Sequence, residues 1–388
     1  LIFFIMSAAA VSHPNKGMVI LCYAIVYLVW GSTFFFIEKA LHSFSPFVLG
    51  SLRFILAGSL LFTFCGIRGY VLWDKKAVKE AVLVGFILLF IDMAAVIWSE
   101  QYISSAIVSI LSAACAIWFV VFDKPKWKEN FSSVPTILGL VMGFAGVLLL
   151  FAEQALEATG NAENGRMKVI AMIVMVIGTI GWTVGSLISK YAASRAEGEV
   201  HQAEDTDEEK LEPVQMHIMV KTAWQMLTAG VAFTLTALLT GEYAAFDIRA
   251  VATEHWYALG YLAVFGSILA FSSYLWLLEV RPATEVSTYA YINPIVAMLL
   301  VYFFTDHHVT QLQVWGLAIV LGSVLLMNWK MYSSSRTVTA LRNRRFIKHL
   351  YYKSSIPRII DLVEIHSLRE RIKSRRRKNS GTGISSPE

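Results

Sequence analysis

Ten runs of mostly apolar residues restrict the fold of this chain more than any other feature. A helix that crosses a bilayer needs about 20 such residues, since the hydrocarbon core is about 30 Å thick and each residue rises about 1.5 Å. Apolar residues make up 56% of the 388 residues and charged residues 16%, whereas soluble domains have about 45–50% and about 25%. The sequence therefore predicts an all-α membrane protein with ten transmembrane helices. The runs lie near 18–37, 46–65, 81–99, 103–122, 135–151, 168–189, 218–240, 257–278, 284–304 and 311–329.

Lysine and arginine residues in the connecting segments predict the orientation of the chain. Cytoplasmic loops of membrane proteins are enriched in these residues. If the N-terminus is cytoplasmic, the inner loops hold 12 of them and the outer loops hold 4, without counting the C-terminal tail. We therefore expect both termini to be cytoplasmic.

Three polar or terminal segments flank or interrupt the runs. Residues 1–16 form an N-terminal segment, and residues 191–213 form a loop with eight acidic residues, which we expect to be a solvated cytoplasmic tether. Residues 330–388 form a basic cytoplasmic tail, in which 331–388 carry 14 basic and 4 acidic residues. Because this tail directly follows a membrane span, we expect it to contact anionic lipids and not nucleic acid.

The chain contains an internal repeat. It divides into two halves of five runs each, 17–151 and 168–329, and each half opens with a similar phrase. Trp30 with Gly31-Ser32 opens the first half, and Trp182 with Gly185-Ser186 opens the second. Since five is odd, the second half enters the membrane from the opposite side, and the two repeats are predicted to be inverted. Inverted repeats are a common architecture of secondary transporters, whose binding site lies near the midplane between them.

The second runs of the two halves also correspond. Arg53-Phe-Ile-Leu-Ala-Gly58 matches Gln225-Met-Leu-Thr-Ala-Gly230 in position and in its small-residue ending. Two pseudo-equivalent packings of such repeats would give inward-facing and outward-facing states of similar energy. The repeat therefore favours a carrier that works by alternating access.

Several segments resemble the EamA-type transporters of the drug/metabolite transporter superfamily. The most specific one is Arg281-Pro-Ala-Thr-Glu-Val-Ser-Thr-Tyr-Ala-Tyr-Ile-Asn-Pro294, which follows Tyr274-Leu-Trp-Leu-Leu278. The Trp30 phrase, Pro46 and Arg53 are similar to the opening spans of that family. The resemblance covers 17–329 and implies two inverted five-helix repeats that export small metabolites, such as amino acids, across the bacterial inner membrane.

One departure from the family pattern concerns the fourth span. A proline is usual there, but Cys115-Ala116 stand near its place in this chain. Proline interrupts helices because it lacks a backbone N–H. The sequence therefore predicts no helix break in the fourth span.

Two ionisable residues deep within spans are candidate substrate-binding residues, because a charge there costs about 2.5–3.5 kcal/mol on insertion scales. Arg53 follows Pro46 by seven residues, and Asp92 precedes Glu100 by eight, so both lie about 10–12 Å below the predicted outer surface. They could bind the carboxylate and the amine of a zwitterion, and Asp92 could also relay a proton. The alternative is a static ion pair that holds the second and third spans together.

Four further residues are candidates for lining a substrate cavity. Tyr289 and Asn293 share a helix face with Glu285, at spacings of four residues, and an interhelical hydrogen bond is the alternative for them. Trp30 and Trp182 occupy equivalent repeat positions, where an aromatic ring could stack on a substrate. Ordinary packing is the alternative for both tryptophans.

These features predict a secondary transporter that exports a small polar metabolite, such as an amino acid, across a bacterial cytoplasmic membrane. The sequence contains no P-loop and no hydrolase or metalloprotease motif, and it implies neither a cofactor nor a metal. Proton coupling through Asp92 is a hypothesis, and the oligomeric state is not specified by the sequence. The alternatives are a membrane sensor or scaffold that does not transport, and a membrane-embedded enzyme.

Overall fold

The described part of the chain is entirely helical. The structure is a computed structural model that describes residues 16–158, 162–204, 216–281, 283–305, 310–327 and 329. Every regular element within these ranges is a helix. Residues 1–15 of the N-terminal segment, 205–213 of the acidic loop and the basic tail 330–388 lie outside the described residues.

Within the described residues, ten long helices overlap the ten apolar runs, and we number them α1 to α10 in chain order. The helices are α1 (Lys16–Ala40), α2 (Pro46–Ile67), α3 (Lys75–Ser99), α4 (Ser105–Phe122), α5 (Val134–Ala158), α6 (Ala162–Glu204), α7 (Ile218–Leu239), α8 (Thr253–Val280), α9 (Tyr289–Phe304) and α10 (Gln311–Met327).

Seven of these helices, α1 to α4 and α6 to α8, are long and apolar enough to cross a membrane over the described residues. The apolar parts of the other three are shorter and run over Val134–Leu149, Ile292–Phe304 and Gln311–Met327. Many large apolar side chains on the outer faces of the helices are exposed, as expected for surfaces that contact lipid. The fold is therefore that of a membrane protein.

Helix pairs approach closely where glycine leaves room for a neighbouring backbone. Between α2 and α7, a Cβ atom on Gly58 would lie 2.9 Å from the backbone nitrogen of Leu227. In the same interface, a Cβ atom on Gly230 would lie 2.8 Å from the backbone nitrogen of Ile55. Small residues at such crossings allow the van der Waals contact that drives helix association in membranes.

The helices pack in a regular scheme. α2 packs on α7, and α5 packs on α10. α1 contacts α8 and α9, whereas α6 contacts α3 and α4. Every helix of the first five thus has its main partners among the second five, so the core lies between the two groups.

Two helices contain a stretch of wider π-helical turns, in which hydrogen bonds span five residues. These stretches are Gly85–Ile91 in α3 and Leu262–Phe271 in α8. A π-helical stretch displaces side chains and is frequent at functional sites. A polar residue directly follows each stretch, Asp92 in α3 and Ser272 in α8.

The expectation of an unbroken fourth span is wrong, because α4 is interrupted at Ala114 between Ser105–Ala113 and Cys115–Phe122. The Ala114 N–H donates to the Leu111 carbonyl at 3.0 Å, and the Ile117 N–H donates to the Ala114 carbonyl at 2.9 Å. These bonds span three residues and tighten the helix locally. Such a tightened turn breaks the regular ladder without a proline.

Two other segments differ from the sequence-based picture. The acidic segment predicted as a loop over 191–213 is helical as far as Glu204, where α6 ends, and its alanine-rich and glutamate-rich sequence favours a helix. Glu285 lies in a separate short helix, Ala283–Val286, so it does not share a continuous helix with Tyr289.

Candidate functional site

A cavity of about 740 Å³ lies among the helices and is lined by side chains from both halves. Its walls come from α1, α2, α3, α4, α6, α8 and α9. All six residues that the sequence predicts for substrate binding line this cavity, and they are Trp30, Arg53, Asp92, Trp182, Tyr289 and Asn293.

Four aromatic rings cluster at one side of the cavity. The Trp30 ring centroid lies 5.3 Å from those of Trp182 and Tyr289, and 5.0 Å from that of Tyr274. Tyr274 also lies 5.2 Å from Trp182. Edge-to-face and tilted pairs at these distances each add about 0.5–1.5 kcal/mol to the apolar burial. The repeat-related tryptophans therefore meet in one aromatic cluster, and the sequence did not indicate that Tyr274 would join them.

Arg53 provides a buried cation in the cavity wall. The side chain is only 3% exposed, and its Nε donates to Ser267 Oγ on α8 at 2.8 Å. Its Cζ also lies 4.9 Å from the centre of the Phe54 ring. The Nη1 atom has no hydrogen-bond partner among the described residues. Arg53 is thus held in place by one nitrogen while another can bind an acceptor.

The described acid that interacts with the Arg53 charge is Glu100, which directly follows α3. Glu100 is 7% exposed. Burial raises the pKa of its carboxyl well above the usual range, Glu38 raises it further, and Arg53 acts in the opposite direction. In the sequence, Glu100 marks only the boundary between two spans. Its burial depends on helix packing, which no local pattern encodes.

Asp92 places a carboxyl group in the cavity at the end of the π-helical stretch of α3. It is 5% exposed and interacts electrostatically with Cys115 and Tyr289. No ion pair joins Asp92 to Arg53, both of which the structure describes. The arrangement therefore offers no support for a static pair between α2 and α3.

Tyr289 and Asn293 lie on the α9 wall. Tyr289 Oη is 3.6 Å from Cys115 Sγ. In the amide orientation that satisfies its neighbours, Asn293 Nδ2 donates to the Tyr27 carbonyl at 3.0 Å and to the Tyr289 carbonyl at 3.3 Å. Asn293 therefore links α9 to α1, as the hydrogen-bond alternative predicted, and also lines the cavity. The third residue of the predicted stripe, Glu285, lies 4.0 Å from Arg281 and does not line the cavity.

Several buried donors in the cavity wall lack an acceptor. Within the described part of the chain, Arg53 Nη1, Trp182 Nε1 and Ser112 Oγ have no hydrogen-bond partner. An unpaired buried polar group costs about 1–3 kcal/mol, so a ligand that accepts from these groups would gain the corresponding stabilisation. Together with the Asp92 carboxyl and the aromatic cluster, they can bind a molecule that carries both charges and an apolar part.

Comparison with known families identifies the group to which this chain is related. The EamA-like transporter family matches residues 17–152 and 211–329. The chain belongs to the EamA-like transporter family. The second match begins after α6, so the predicted start of the second repeat at 168 stays a prediction.

Relatives of this EamA-like protein share most of its length. The uncharacterized inner membrane transporter YedA of Escherichia coli strain K12 is 28% identical over 318 residues, which cover 79% of this chain and 89% of YedA. The uncharacterized transporter YoaV of Bacillus subtilis strain 168 is 20% identical, with 78% and 91% covered. A crystal structure with 14% identity covers 81% of this chain and 98% of its own, with a TM-score of 0.54, and supports the fold alone.

Proposed function

We propose that this EamA-like protein is a secondary transporter that exports a small polar metabolite, such as an amino acid, by alternating access. The observation that carries the proposal is the cavity in which Arg53, Asp92 and the aromatic cluster meet. These side chains come from α1, α2, α3, α6, α8 and α9, so relative movement of the two halves would change the cavity directly.

The proposed architecture is two inverted five-helix repeats, 17–151 and 168–329. Each helix of the first half has its counterpart five helices later, so α1 corresponds to α6, α3 to α8 and α4 to α9. Under this correspondence, the contacts of α1 with α8 and α9 match the contacts of α6 with α3 and α4. The α2 crossing with α7 is reciprocal, since Gly58 faces Leu227 and Gly230 faces Ile55. The π-helical stretches also occupy counterpart helices, α3 and α8. Each correspondence supports a two-fold relation between the halves.

A zwitterion fits the chemistry of this cavity. The Arg53 guanidinium is permanently charged and presents several donors in one plane, a geometry that suits a carboxylate. Asp92 would bind the ammonium group, and the aromatic cluster would cover the apolar part. Hydrogen bonds to charged groups contribute about 1.5–3 kcal/mol each, so loss of either charge would weaken binding strongly.

Proton coupling through Asp92 is part of this proposal. A carboxyl group in a membrane cavity can exchange a proton when the cavity opens to water on either side. If Asp92 binds either a proton or the substrate ammonium, the two would exchange for each other, and an inward proton gradient would drive export.

The proposed location is the bacterial cytoplasmic membrane, with both termini in the cytoplasm and the tail 330–388 at anionic lipids. The membrane helices and the similarity to YedA, an inner membrane transporter by name, support this location. The excess of lysine and arginine in the predicted inner loops supports the orientation.

Metabolite profiling of the growth medium tests the proposal. Cells that overexpress the wild-type chain are compared with cells that express Arg53→Ala and with cells that express Arg249→Ala, which changes an exposed arginine. We expect at least one polar metabolite to accumulate in the medium with the wild type and Arg249→Ala, but not with Arg53→Ala. If all three profiles match that of empty cells, export is wrong and a sensor or scaffold is favoured.

A further inference from the structure

A second cavity, of about 550 Å³, lies at the other end of the same helices. It contains charged side chains of both signs, which are Glu80, Lys190, Lys221 and Glu279. Gln225 also lines it, is 4% exposed, and has no hydrogen-bond partner for Oε1 among the described residues. Gln225 is the sequence counterpart of Arg53 in the repeat. The second cavity is therefore polar and includes the repeat counterpart of Arg53.

Three helices line both cavities in succession. Along α3, Val84 lines the second cavity and Leu89 lines the first. Along α8, Phe271 lines the first cavity and Leu275 the second. Along α6, Trp182 lines the first cavity and Ser189 lines the second. These steps of four to seven residues correspond to about 6–10 Å of helix, so only a thin layer separates the cavities.

Several fully buried residues lie in this layer, and three of them make contacts between the helices. These three are Leu88 on α3, Ser186 on α6 and Tyr274 on α8, and none of them lines either cavity. A Cβ atom on Gly185 would lie 2.5 Å from Leu88 Cβ, so α3 and α6 are tightly packed here. Ser186 Oγ and Tyr274 Oη are hydrogen-bonded at 2.8 Å, which joins α6 to α8.

Tyr274 also connects this layer to the aromatic cluster. Its ring packs against Trp30 and Trp182, which line the first cavity. Movement of the Tyr274 ring would therefore change the aromatic cluster and the separating layer together. The hydroxyl hydrogen bond with Ser186 holds the ring to α6.

We propose that the second cavity is the opposite vestibule of the transport path, and that the Tyr274–Ser186 hydrogen bond closes the layer between it and the substrate cavity. This inference rests on the proposed function, because it assigns the path of the same zwitterionic substrate. The second cavity suits that substrate class since it offers charged groups of both signs and the Gln225 amide. Opening would require α6 and α8 to separate at this bond.

Cysteine accessibility tests the proposal without a known substrate. The three free cysteines, Cys22, Cys65 and Cys115, are replaced by alanine, and single reporters Met93→Cys or Ser189→Cys are introduced in the first and second cavities. A membrane-impermeant thiol reagent is applied to right-side-out and to inside-out vesicles. We expect the two reporters to be labelled from opposite sides of the membrane.

The layer is then tested by removing its hydrogen bond in the full-length chain. Tyr274→Phe and Ser186→Ala each remove the bond from one partner, and we expect either one to accelerate Met93→Cys labelling from the Ser189 side about two- to tenfold. The matched control is Tyr261→Phe, which removes the Tyr261–Ser32 hydrogen bond of 2.7 Å elsewhere on α8. This control should leave the labelling rate unchanged.

Three outcomes would overturn the inference. They are labelling of both reporters from the same side, an unchanged rate in both Tyr274→Phe and Ser186→Ala, and an equal increase with Tyr261→Phe. Thiol labelling requires neither binding nor transport of a substrate. A failure here is therefore distinguishable from failure of the export experiment with Arg53→Ala.

Discussion

The helix pair α2 and α3 and the helix pair α7 and α8 are similar in backbone but different in charge. Both pairs contain a π-helical stretch, and α2 and α7 cross at reciprocal glycines. Arg53 in the first pair has the neutral Gln225 as its counterpart in the second. The residue that follows the π-helical stretch is the acidic Asp92 in the first pair and Ser272 in the second.

This difference places the charged side chains of the cavity in the first half, although side chains of both halves line it. Each buried ionisable residue costs about 2.5–3.5 kcal/mol to insert into a membrane, so a second charged set would double that cost. Gln225 and Ser272 keep polar atoms at the corresponding places without a charge. The carrier that we propose would therefore move two similar halves while it binds substrate through the charges of only one.

The largest expected effect tests this assignment of charge. Arg53→Gln makes the first half resemble the second, and we expect export to fall about 10- to 100-fold, since one charge-assisted contact of about 1.5–3 kcal/mol is lost. The measurement is the export rate of the metabolite found by profiling. Gln225→Leu is the matched change in the other half. An equal loss of export in both variants would contradict the comparison.

The second effect concerns proton coupling. Asp92→Asn removes the carboxyl group that would bind both the proton and the substrate ammonium, so we expect export to fall and the remaining export to stop responding to an imposed pH gradient. Ser272→Ala, at the corresponding place in α8, should leave the response intact. Flux that still follows the gradient in Asp92→Asn would exclude coupling through this residue.

The third effect tests the shared geometry. We expect Gly58→Ala and Gly230→Ala to destabilise the protein by similar amounts, about 1–3 kcal/mol each, because each added methyl group would meet a backbone atom of the opposite helix. The midpoint of thermal unfolding in detergent measures this. Gly260→Ala is the control, since no atom lies within 4 Å of a Cβ there in the described structure. Destabilisation by only one of the two would refute a reciprocal crossing.

The smallest expected effect separates the two repeat-related tryptophans. Trp30 Nε1 donates to the Gly266 carbonyl at 3.1 Å, whereas Trp182 Nε1 has no acceptor in the described part of the chain. Trp30→Phe should therefore destabilise the protein by about 1 kcal/mol more than Trp182→Phe, the usual net value of one hydrogen bond. Both variants lose the same volume, so the difference in unfolding midpoint isolates that bond. Equal midpoints would show that this bond contributes nothing.

Six of the residues that line the cavity could be predicted from the sequence, whereas the contacts between them could not. Each candidate was found from a local signal, such as a charge within an apolar run for Arg53 and Asp92, or a repeated phrase for Trp30 and Trp182. Pairing of Arg53 with Asp92 was the alternative that the structure does not support, because Arg53 bonds to Ser267 and interacts with Glu100. The depth of a residue in the membrane follows from its position along the helix, which the sequence gives directly. The direction of its side chain depends on how the helix is rotated in the bundle, which the sequence does not give.

The break in α4 and the two π-helical stretches were not predicted either. Ala114 and its neighbours are ordinary helix formers, so their sequence contains no interruption signal of the kind that proline provides. The stretch Gly85–Ile91 is a continuous apolar run and has the same periodicity whether its hydrogen bonds span four residues or five. Such departures from the regular helix depend on packing against neighbouring helices.

The sequence by itself determined the membrane class, the approximate limits of the apolar helices, and the similar phrases in the two halves. These properties depend on hydrophobicity and spacing along the chain, and both can be read locally. Only the tertiary structure decided that Tyr274 bonds to Ser186 between α8 and α6, and that Arg53 bonds to a residue 214 positions away. Contacts of this range arise from how the helices rotate and cross, because close packing of the whole bundle determines which side chains meet.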